Sequence, residues 1–194
     1  MTAGTVAAVV LAGGRSSRFG RDKLLEPVDG RPLLHRAIDA VRPLAAEILV
    51  VTAPHGAPPL PDGVTLVHDA VAFEGPLAGF VAGLGAARSP IVIVVGGDMP
   101  ALSVAVLGAM VAMLATSGDD AVVLEDEGRG RPLPMAVRRE PGLAAAERLF
   151  HAGERRLRAV IGTVSTSVLP EAAWRAIDPA GDTLRDVDTE SDLA

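Results

Sequence analysis

Short apolar runs rich in valine and isoleucine alternate along the chain with longer stretches in which apolar residues recur at helical spacing. Parallel strands are covered by helices on both faces and so read as continuous apolar runs. The pattern therefore predicts an α/β protein with a three-layer fold and a mostly parallel central sheet. Five runs fit buried strands: Val6–Leu11, Glu47–Thr52, Val64–Val67, Ile91–Val95 and Ala121–Leu124. Leu133–Val137 and Val164–Leu169 are weaker candidates for a sixth and a seventh. Pro32–Val41 opens with proline at a first-turn position and sets Leu34, Ile38 and Val41 on one face, as a helix requires. Leu77–Ala87 and Ser103–Leu114 also read as helices, as do Gly142–His151 and Glu154–Ile161 on either side of Ala152-Gly153.

Polar and breaker residues mark the joints. Pro54–Pro61 is rich in proline and reads as an extended surface loop. Gly128-Arg129-Gly130-Arg131-Pro132 reads as a turn leading into a strand. Near the end of the chain Thr189 stands three places before Asp192, a capping pair for a closing helical turn. With 194 residues, 49% hydrophobic content and no repeat or low-complexity stretch, residues 1–194 are expected to form a single domain with ample core.

Charge and cysteine content narrow the functional classes. The formal net charge is -6, which argues against coating nucleic acid, since non-specific binding to a polyanion rests on a broad basic surface. Without cysteine the chain has no disulfide, thiolate ligand or thiolate nucleophile, and its four histidines, His35, His55, His68 and His151, lack metal-ligand spacing. A cytoplasmic location is the simplest expectation. Val6–Ala12 has the length of a secretory apolar segment, but no Lys or Arg precedes it and Gly13-Gly14-Arg15 follows at once. Neither a signal peptide nor a membrane span is expected.

Local positive charge is more informative in an acidic chain. Ligands of open α/β sheets sit beyond the carboxyl ends of the strands, and the residues that follow the predicted strands form a coherent set. The first strand leads to Gly13-Gly14 and then to Arg15, Arg18, Arg21 and Lys23, while the second ends in Thr52. The third leads to His68-Asp69 and Gly75-Pro76-Leu77-Ala78-Gly79, the fourth to Gly96-Gly97-Asp98-Met99-Pro100. The first loop has neither the Walker spacing nor the G-x-G-x-x-G fingerprint. It keeps a glycine turn whose amides can approach an anion closely, inside a sleeve of cations. Charge-assisted bonds contribute about 1.5–3 kcal/mol each, against about 0–1 kcal/mol for an exposed ion pair. A triphosphate grip therefore outweighs the other reading, a solvated basic loop.

Three further groups carry chemistry. Asp98 ends the most hydrophobic strand and can hold Mg2+, which takes one or two carboxylates plus phosphate oxygens; an Asp that only caps the turn is the alternative. Asp186 and Asp188 flank Val187, so in extended backbone both carboxylates face one way and one of them could complete a metal shell. Arg155, Arg156 and Arg158 make a second cationic cluster, of the kind that usually lines a solvated helix face.

A family comes into view through Leu11-Ala12-Gly13-Gly14 with Arg18-Phe19-Gly20 and Asp22-Lys23, then Asp69, Gly75–Gly79 and Asp98-Met99-Pro100. Ala152-Gly153-Glu154-Arg155-Arg156 and Asp186-Val187-Asp188-Thr189 extend the set. The chain resembles the nucleotidyltransferases with a GT-A-like, Rossmann-like sheet, and most closely the molybdenum cofactor guanylyltransferases, over nearly its whole length. The resemblance implies Mg2+-dependent transfer of GMP from GTP to the molybdopterin cofactor with release of pyrophosphate. It implies that Arg18, Lys23 and Asp98 are catalytic, with Arg18 and Lys23 on the phosphates. Leu11, Ala12, Gly13 and Gly14, with Thr52, Asp69 and the segment Gly75, Pro76, Leu77, Ala78 and Gly79, would complete the nucleotide site. Arg155, Arg156, Asp186 and Asp188 would face the pterin, and Asp98 and Asp188 would hold the metal. The implied partners are GTP and the molybdopterin cofactor, then a molybdoenzyme or its chaperone, with no nucleic acid and no membrane.

Two departures keep alternatives open. Thr52 stands where the family commonly has asparagine, and Asp186-Val187-Asp188-Thr189 stands where the guanylyl branch commonly has Asn-x-Asn-Thr. CTP in place of GTP, or a sugar phosphate or phospho-acid as acceptor, therefore remain readings of the same chemistry. A non-catalytic molybdopterin carrier is a reading of another class. Lys23 and Asp98 argue against it, because a carrier has no need of a metal-bound triphosphate.

Overall fold

Valine and isoleucine are stiff at χ1 and favour extended backbone, and their runs build the sheet. The structure, a computed structural model, describes residues 6–13, 23–28, 30–69 and 75–187. Seven strands lie in the spatial order β5 (Val64–His68), β4 (Glu47–Thr52), β1 (Val6–Leu11), β6 (Ile91–Gly96), β8 (Arg129–Arg138), β7 (Ala121–Asp126), β9 (Thr166–Leu169). Within this sheet β8 alone opposes the rest, being antiparallel to β6 and β7, whereas β5, β4, β1 and β6 are mutually parallel and β7 is parallel to β9.

Side chains alternate across the pleat, so each strand feeds two cores. Ala8 and Val10 of β1 pack with Leu34 and Ile38 of α1 (Leu33–Val41) and with Leu107 and Met110 of α3 (Val104–Thr116). Ala7 and Val9 face the other way, onto Leu77 and Phe80 of α2 (Pro76–Ala86), Ala146 of α4 (Arg139–His151) and Val160 of α5 (Arg158–Ile161). Helices thus cover both faces, and the expected three-layer α/β architecture is the one found. A Cβ on Gly83 would lie 2.5 Å from Val9 Cγ1, so the glycine lets α2 press against β1.

Differences from the expected elements have local causes. The predicted strand Leu133–Val137 begins instead at Arg129. Glu127 (φ 49°) and Gly128 (φ 74°) make a two-residue turn between the paired Asp126 and Arg129, with the positive φ at both central positions that a type I′ hairpin needs. Arg129 and Arg131 are therefore strand residues, hidden by their polarity. The expected helix Glu154–Ile161 shrinks to α5, because the Glu154 carboxylate accepts the main-chain N–H groups of Arg155 (2.8 Å) and Arg156 (2.9 Å). Such local bonds compete with helix formation. Pro32 belongs to a small ribbon of β2 (Pro27–Val28) and β3 (Arg31–Pro32), and α1 starts at Leu33, whose N–H is taken by the Glu26 carbonyl at 3.0 Å. The helix expected from Gly142 starts at Arg139, tied through its N–H to the Pro90 carbonyl.

The C-terminal part adds elements with no periodic signal. In α6 (Glu171–Arg175) the fully buried Trp174 donates its indole N–H to the Glu125 carbonyl at 2.8 Å, docking the helix on β7. A 3-10 turn, Asp182–Leu184, follows. The predicted capping pair at Thr189 lies outside the described residues. Among the described residues no helix is long and apolar enough to cross a membrane.

Candidate active site

Because β5, β4, β1 and β6 are parallel, their carboxyl ends meet at one edge, and the turns that leave them converge there. The Leu11 carbonyl accepts the Gly97 N–H at 3.0 Å, and the Ala12 N–H is taken by the Val51 carbonyl at 2.8 Å. The exposed Gly13 follows, and a Cβ there would lie 3.6 Å from the Ala53 amide nitrogen. Gly96 makes room for the aspartate: a Cβ on it would lie 2.5 Å from Asp98 Oδ1. Arg36 of α1 secures the same turn, its guanidinium donating to the carbonyls of Pro100 (3.2 Å) and Val28 (3.3 Å).

Lys23 sits in a 3-10 turn, Lys23–Leu25, anchored by buried Leu24. Its ammonium donates to Asp98 Oδ2 at 2.8 Å and to the Val187 carbonyl at 2.9 Å. Both side chains are mostly shielded, with 18% of Lys23 and 29% of Asp98 exposed. The pair is thus an ammonium and a carboxylate held side by side at the rim of the sheet. A carboxylate next to a glycine turn is a hard-oxygen donor of the kind Mg2+ uses when phosphate oxygens and water complete its shell. Among the described residues no group of three or more His, Cys, Asp or Glu gathers, and a single carboxylate of this kind fits a site that phosphate oxygens and water complete.

The other sequence-predicted residues flank this pair. Thr52 is buried, and its hydroxyl donates to the Gly56 carbonyl at 3.2 Å and lies 3.4 Å from His68 Nδ1. Its carbonyl accepts the Asp69 N–H at 2.8 Å. Gly75 (φ 87°) precedes α2, and Pro76 opens the helix while Leu77 and Ala78 point into the core. A Cβ on Gly75 would lie 2.8 Å from the Arg155 carbonyl oxygen, and the Leu77 N–H reaches that same oxygen at 3.3 Å. Glycine is required there both by its positive φ and by this approach. A Cβ on Gly79 would meet Leu11 at 3.4 Å.

The arginine cluster divides. The Arg155 guanidinium lies 4.4 Å from the Phe150 ring centroid and donates to the carbonyls of Phe150 (3.1 Å) and Glu154 (2.9 Å). Arg156 reaches out to solvent and pairs with Glu154 at 2.9 Å. The Arg156 guanidinium, helped by the Arg156 and Arg155 amides, pulls the Glu154 carboxyl down to about 2. Arg158 opens α5. Asp186 is exposed beside the buried Val187. Gly14, Arg15, Arg18, Arg21, Asp22 and Asp188 lie outside the described residues.

Sequence reasoning assigned no role of their own to Val187, whose main chain touches both Lys23 and Asp98, or to the fully buried Thr183. The signal for Val187 was its place between Asp186 and Asp188, and Thr183 had none.

A Rossmann-like sheet with a lysine–aspartate pair at its carboxyl edge, behind a glycine turn, sets side by side the parts that a nucleotidyltransferase would use. The chain belongs to the MobA-like NTP transferase domain family, which matches residues 8–168. It is 36% identical over 190 residues to a protein of Chloroflexus aggregans named as a probable molybdenum cofactor guanylyltransferase, covering 95% of this chain and 90% of that one. It is 40% identical over 155 residues to a molybdenum cofactor guanylyltransferase of Xanthomonas euvesicatoria, covering 78% and 76% of the two chains. Among solved structures, molybdopterin-guanine dinucleotide biosynthesis protein A of Archaeoglobus fulgidus shares the fold, with a TM-score of 0.78 at 20% identity and coverage of 96% and 94%.

Proposed function

We propose that this enzyme transfers GMP from GTP to the molybdopterin cofactor, with Mg2+ and with release of pyrophosphate. The observation that carries the reading is the Lys23 ammonium, 2.8 Å from the Asp98 carboxylate at the glycine-lined edge of the sheet. The names of the relatives support the choice of base and acceptor. In the proposed step an anionic oxygen of the cofactor's terminal phosphate attacks the α-phosphorus of GTP. The bond from that phosphorus to the bridging oxygen breaks, and pyrophosphate leaves with the electron pair. The nucleophile is already anionic, so alignment and charge neutralisation are the chief requirements.

Lys23 would turn its ammonium to the phosphates, and Arg18 would add charge from the same loop. Leu11, Ala12, Gly13 and Gly14 would hold the nucleotide through main chain, joined by Asp69 and Gly75–Gly79. Asp98, with Asp188 as a second candidate, would hold Mg2+, which when bound neutralises charge on the phosphates. Arg155, Arg156 and Asp186 would lie toward the pterin. Thr52, whose hydroxyl is already engaged by Gly56, would act by shaping the floor beneath the base. A cytoplasmic reaction with delivery to a molybdoenzyme or its chaperone belongs to the same reading.

The test is pyrophosphate release with purified molybdopterin cofactor and each of GTP, CTP, ATP and UTP. Release with GTP above the other three is expected. Preference for CTP would move the chain to cytidylyl transfer. Pterin binding without release from any nucleotide would make it a carrier.

A further inference from the structure

The last described segment, Asp182–Val187, crosses the candidate site as a strap and touches it at three points. The Val187 N–H donates to the Asp98 carbonyl at 3.0 Å, and the Val187 carbonyl accepts from Lys23 at 2.9 Å. The Thr183 hydroxyl accepts the Ser103 N–H at 3.2 Å. Asp98 lies near the start of the connection after β6, and Ser103 ends it as the N-cap of α3. The turn that carries the metal-binding candidate is therefore held at both ends by one strap.

Two anchors fix the strap. Thr183 is fully buried, and its hydroxyl and N–H both donate to Asp178 Oδ2, at 2.7 and 2.8 Å. Its hydroxyl oxygen thus bonds in both directions, outward to Ser103 and back to Asp178, so a shift along the strap would break bonds on either side. A buried hydroxyl tolerates little error of this kind, because an unsatisfied polar group is costly. The second anchor is the Val187 side chain, 1% exposed and packed with Leu33 and Val28. The bonds to Asp98 and Lys23 come from main chain, so the strap's register, and not the identity of its exposed side chains, sets their position.

We infer that the strap is a positioning element for Asp98 and Lys23, and that Thr183 is the positioning residue that sets its register. This rests on the reading of Lys23 and Asp98 as the metal and phosphate residues. The test measures pyrophosphate release with GTP and molybdopterin cofactor across a Mg2+ titration, well below each variant's melting midpoint. Thr183→Val preserves volume and removes the hydroxyl. Its kcat is expected to fall roughly tenfold to a hundredfold, the scale of a misplacement near 1 Å, and its half-saturating Mg2+ to rise severalfold. The KM for the pterin acceptor should stay within about twofold, since uniform binding is untouched. Thr183→Ser should restore both kcat and the Mg2+ requirement.

A Thr183→Val protein with a lowered melting midpoint but unchanged kcat and Mg2+ requirement would overturn the inference. Should that variant not fold, Val187→Ala, which loosens the other anchor, must itself raise the Mg2+ requirement; an unchanged requirement overturns the inference. Lys23→Ala, run alongside, separates the two levels. Full activity in Lys23→Ala removes the reading of the site, whereas an inactive Lys23→Ala beside a fully active Thr183→Val removes the strap alone.

Discussion

Replacing Lys23 with alanine deletes its hydrogen bonds to Asp98 Oδ2 at 2.8 Å and to the Val187 carbonyl at 2.9 Å. Bonds to a charged group are worth about 1.5–3 kcal/mol each, but much of that is offset on deletion. The lysine stem recovers about 1.5–2 kcal/mol of rotamer freedom, and Asp98, with 29% of its side chain exposed, can take water in place of the ammonium. The expected net loss of stability is about 1 kcal/mol, near the top of the range for exposed pairs. In a chain of this size that moves the melting midpoint by roughly 2–4 °C. Turnover should respond far more, because a donor aimed at charge that develops in the transition state is worth about 10²–10³-fold. Pyrophosphate release at saturating GTP and acceptor reads the turnover, and scanning fluorimetry the melting midpoint. A loss of turnover below about tenfold, or a midpoint drop of about 10 °C or more as in a core deletion, would refute the assignment.

Gly96→Ala places a methyl 2.5 Å from Asp98 Oδ1 and 3.2 Å from Met99 Cγ. The carboxylate must move, and turnover is expected to drop about 10²-fold with nucleotide still bound; wild-type turnover would show that the position of Asp98 is not critical. Burial pushes the Glu47 carboxyl up, but the Arg88 amide, the Ser89 hydroxyl and amide and the Arg88 guanidinium outweigh it and hold it below its ordinary value of 4.5. The stabilisation from such a depressed group is complete above the unfolded value and is lost as pH falls through the folded one. The melting-midpoint gap between wild type and Glu47→Gln should therefore be steady from about pH 7 to 5 and close below about pH 4; a gap that widens in acid would contradict this. Trp174→Ala empties a fully buried site and orphans the Glu125 carbonyl, for an expected loss of about 3–5 kcal/mol and a midpoint lowered by roughly 6–20 °C. Calorimetry showing a shift under about 3 °C would mean that α6 does not contribute to the core.

What the sequence disclosed followed how each element is stabilised. β1, β4 and β6 are sealed on both faces, so their apolar runs located them to within a residue at either end. The N-terminal half of β8 instead pairs Arg129 with Asp126 and Gly130 with Glu125, and hydropathy does not register a strand held by polar neighbours. The stretch before α5 failed for the opposite reason: the residue types favour helix, but Glu154 turns back to cap its own neighbours. Lys23 and Asp98 were legible because each follows a recognisable punctuation, the glycine turn and the end of a strand. Their contact was not, since it joins positions 75 residues apart. Thr183 belongs to no motif and Val187 was only the spacer between Asp186 and Asp188, because one works through a buried hydroxyl and the other through its main chain.

An acidic enzyme that handles polyanions has to rely on where its cations stand, since charges more than about 8–10 Å apart are largely screened in physiological salt. Lys23 illustrates the consequence. A free lysine would surrender about 1.5–2 kcal/mol of rotamer freedom on gripping a phosphate, whereas here the bonds to Asp98 and Val187 have already fixed it. In the proposed reading a triphosphate competes with Asp98 for that ammonium, exchanging one anionic partner for another without a large change in its solvation. The Val187 carbonyl keeps the second bond through the exchange, so the ammonium pivots about a fixed point instead of searching for one. In that reading the strap would contribute to catalysis by ordering Lys23 during folding, before any substrate arrives.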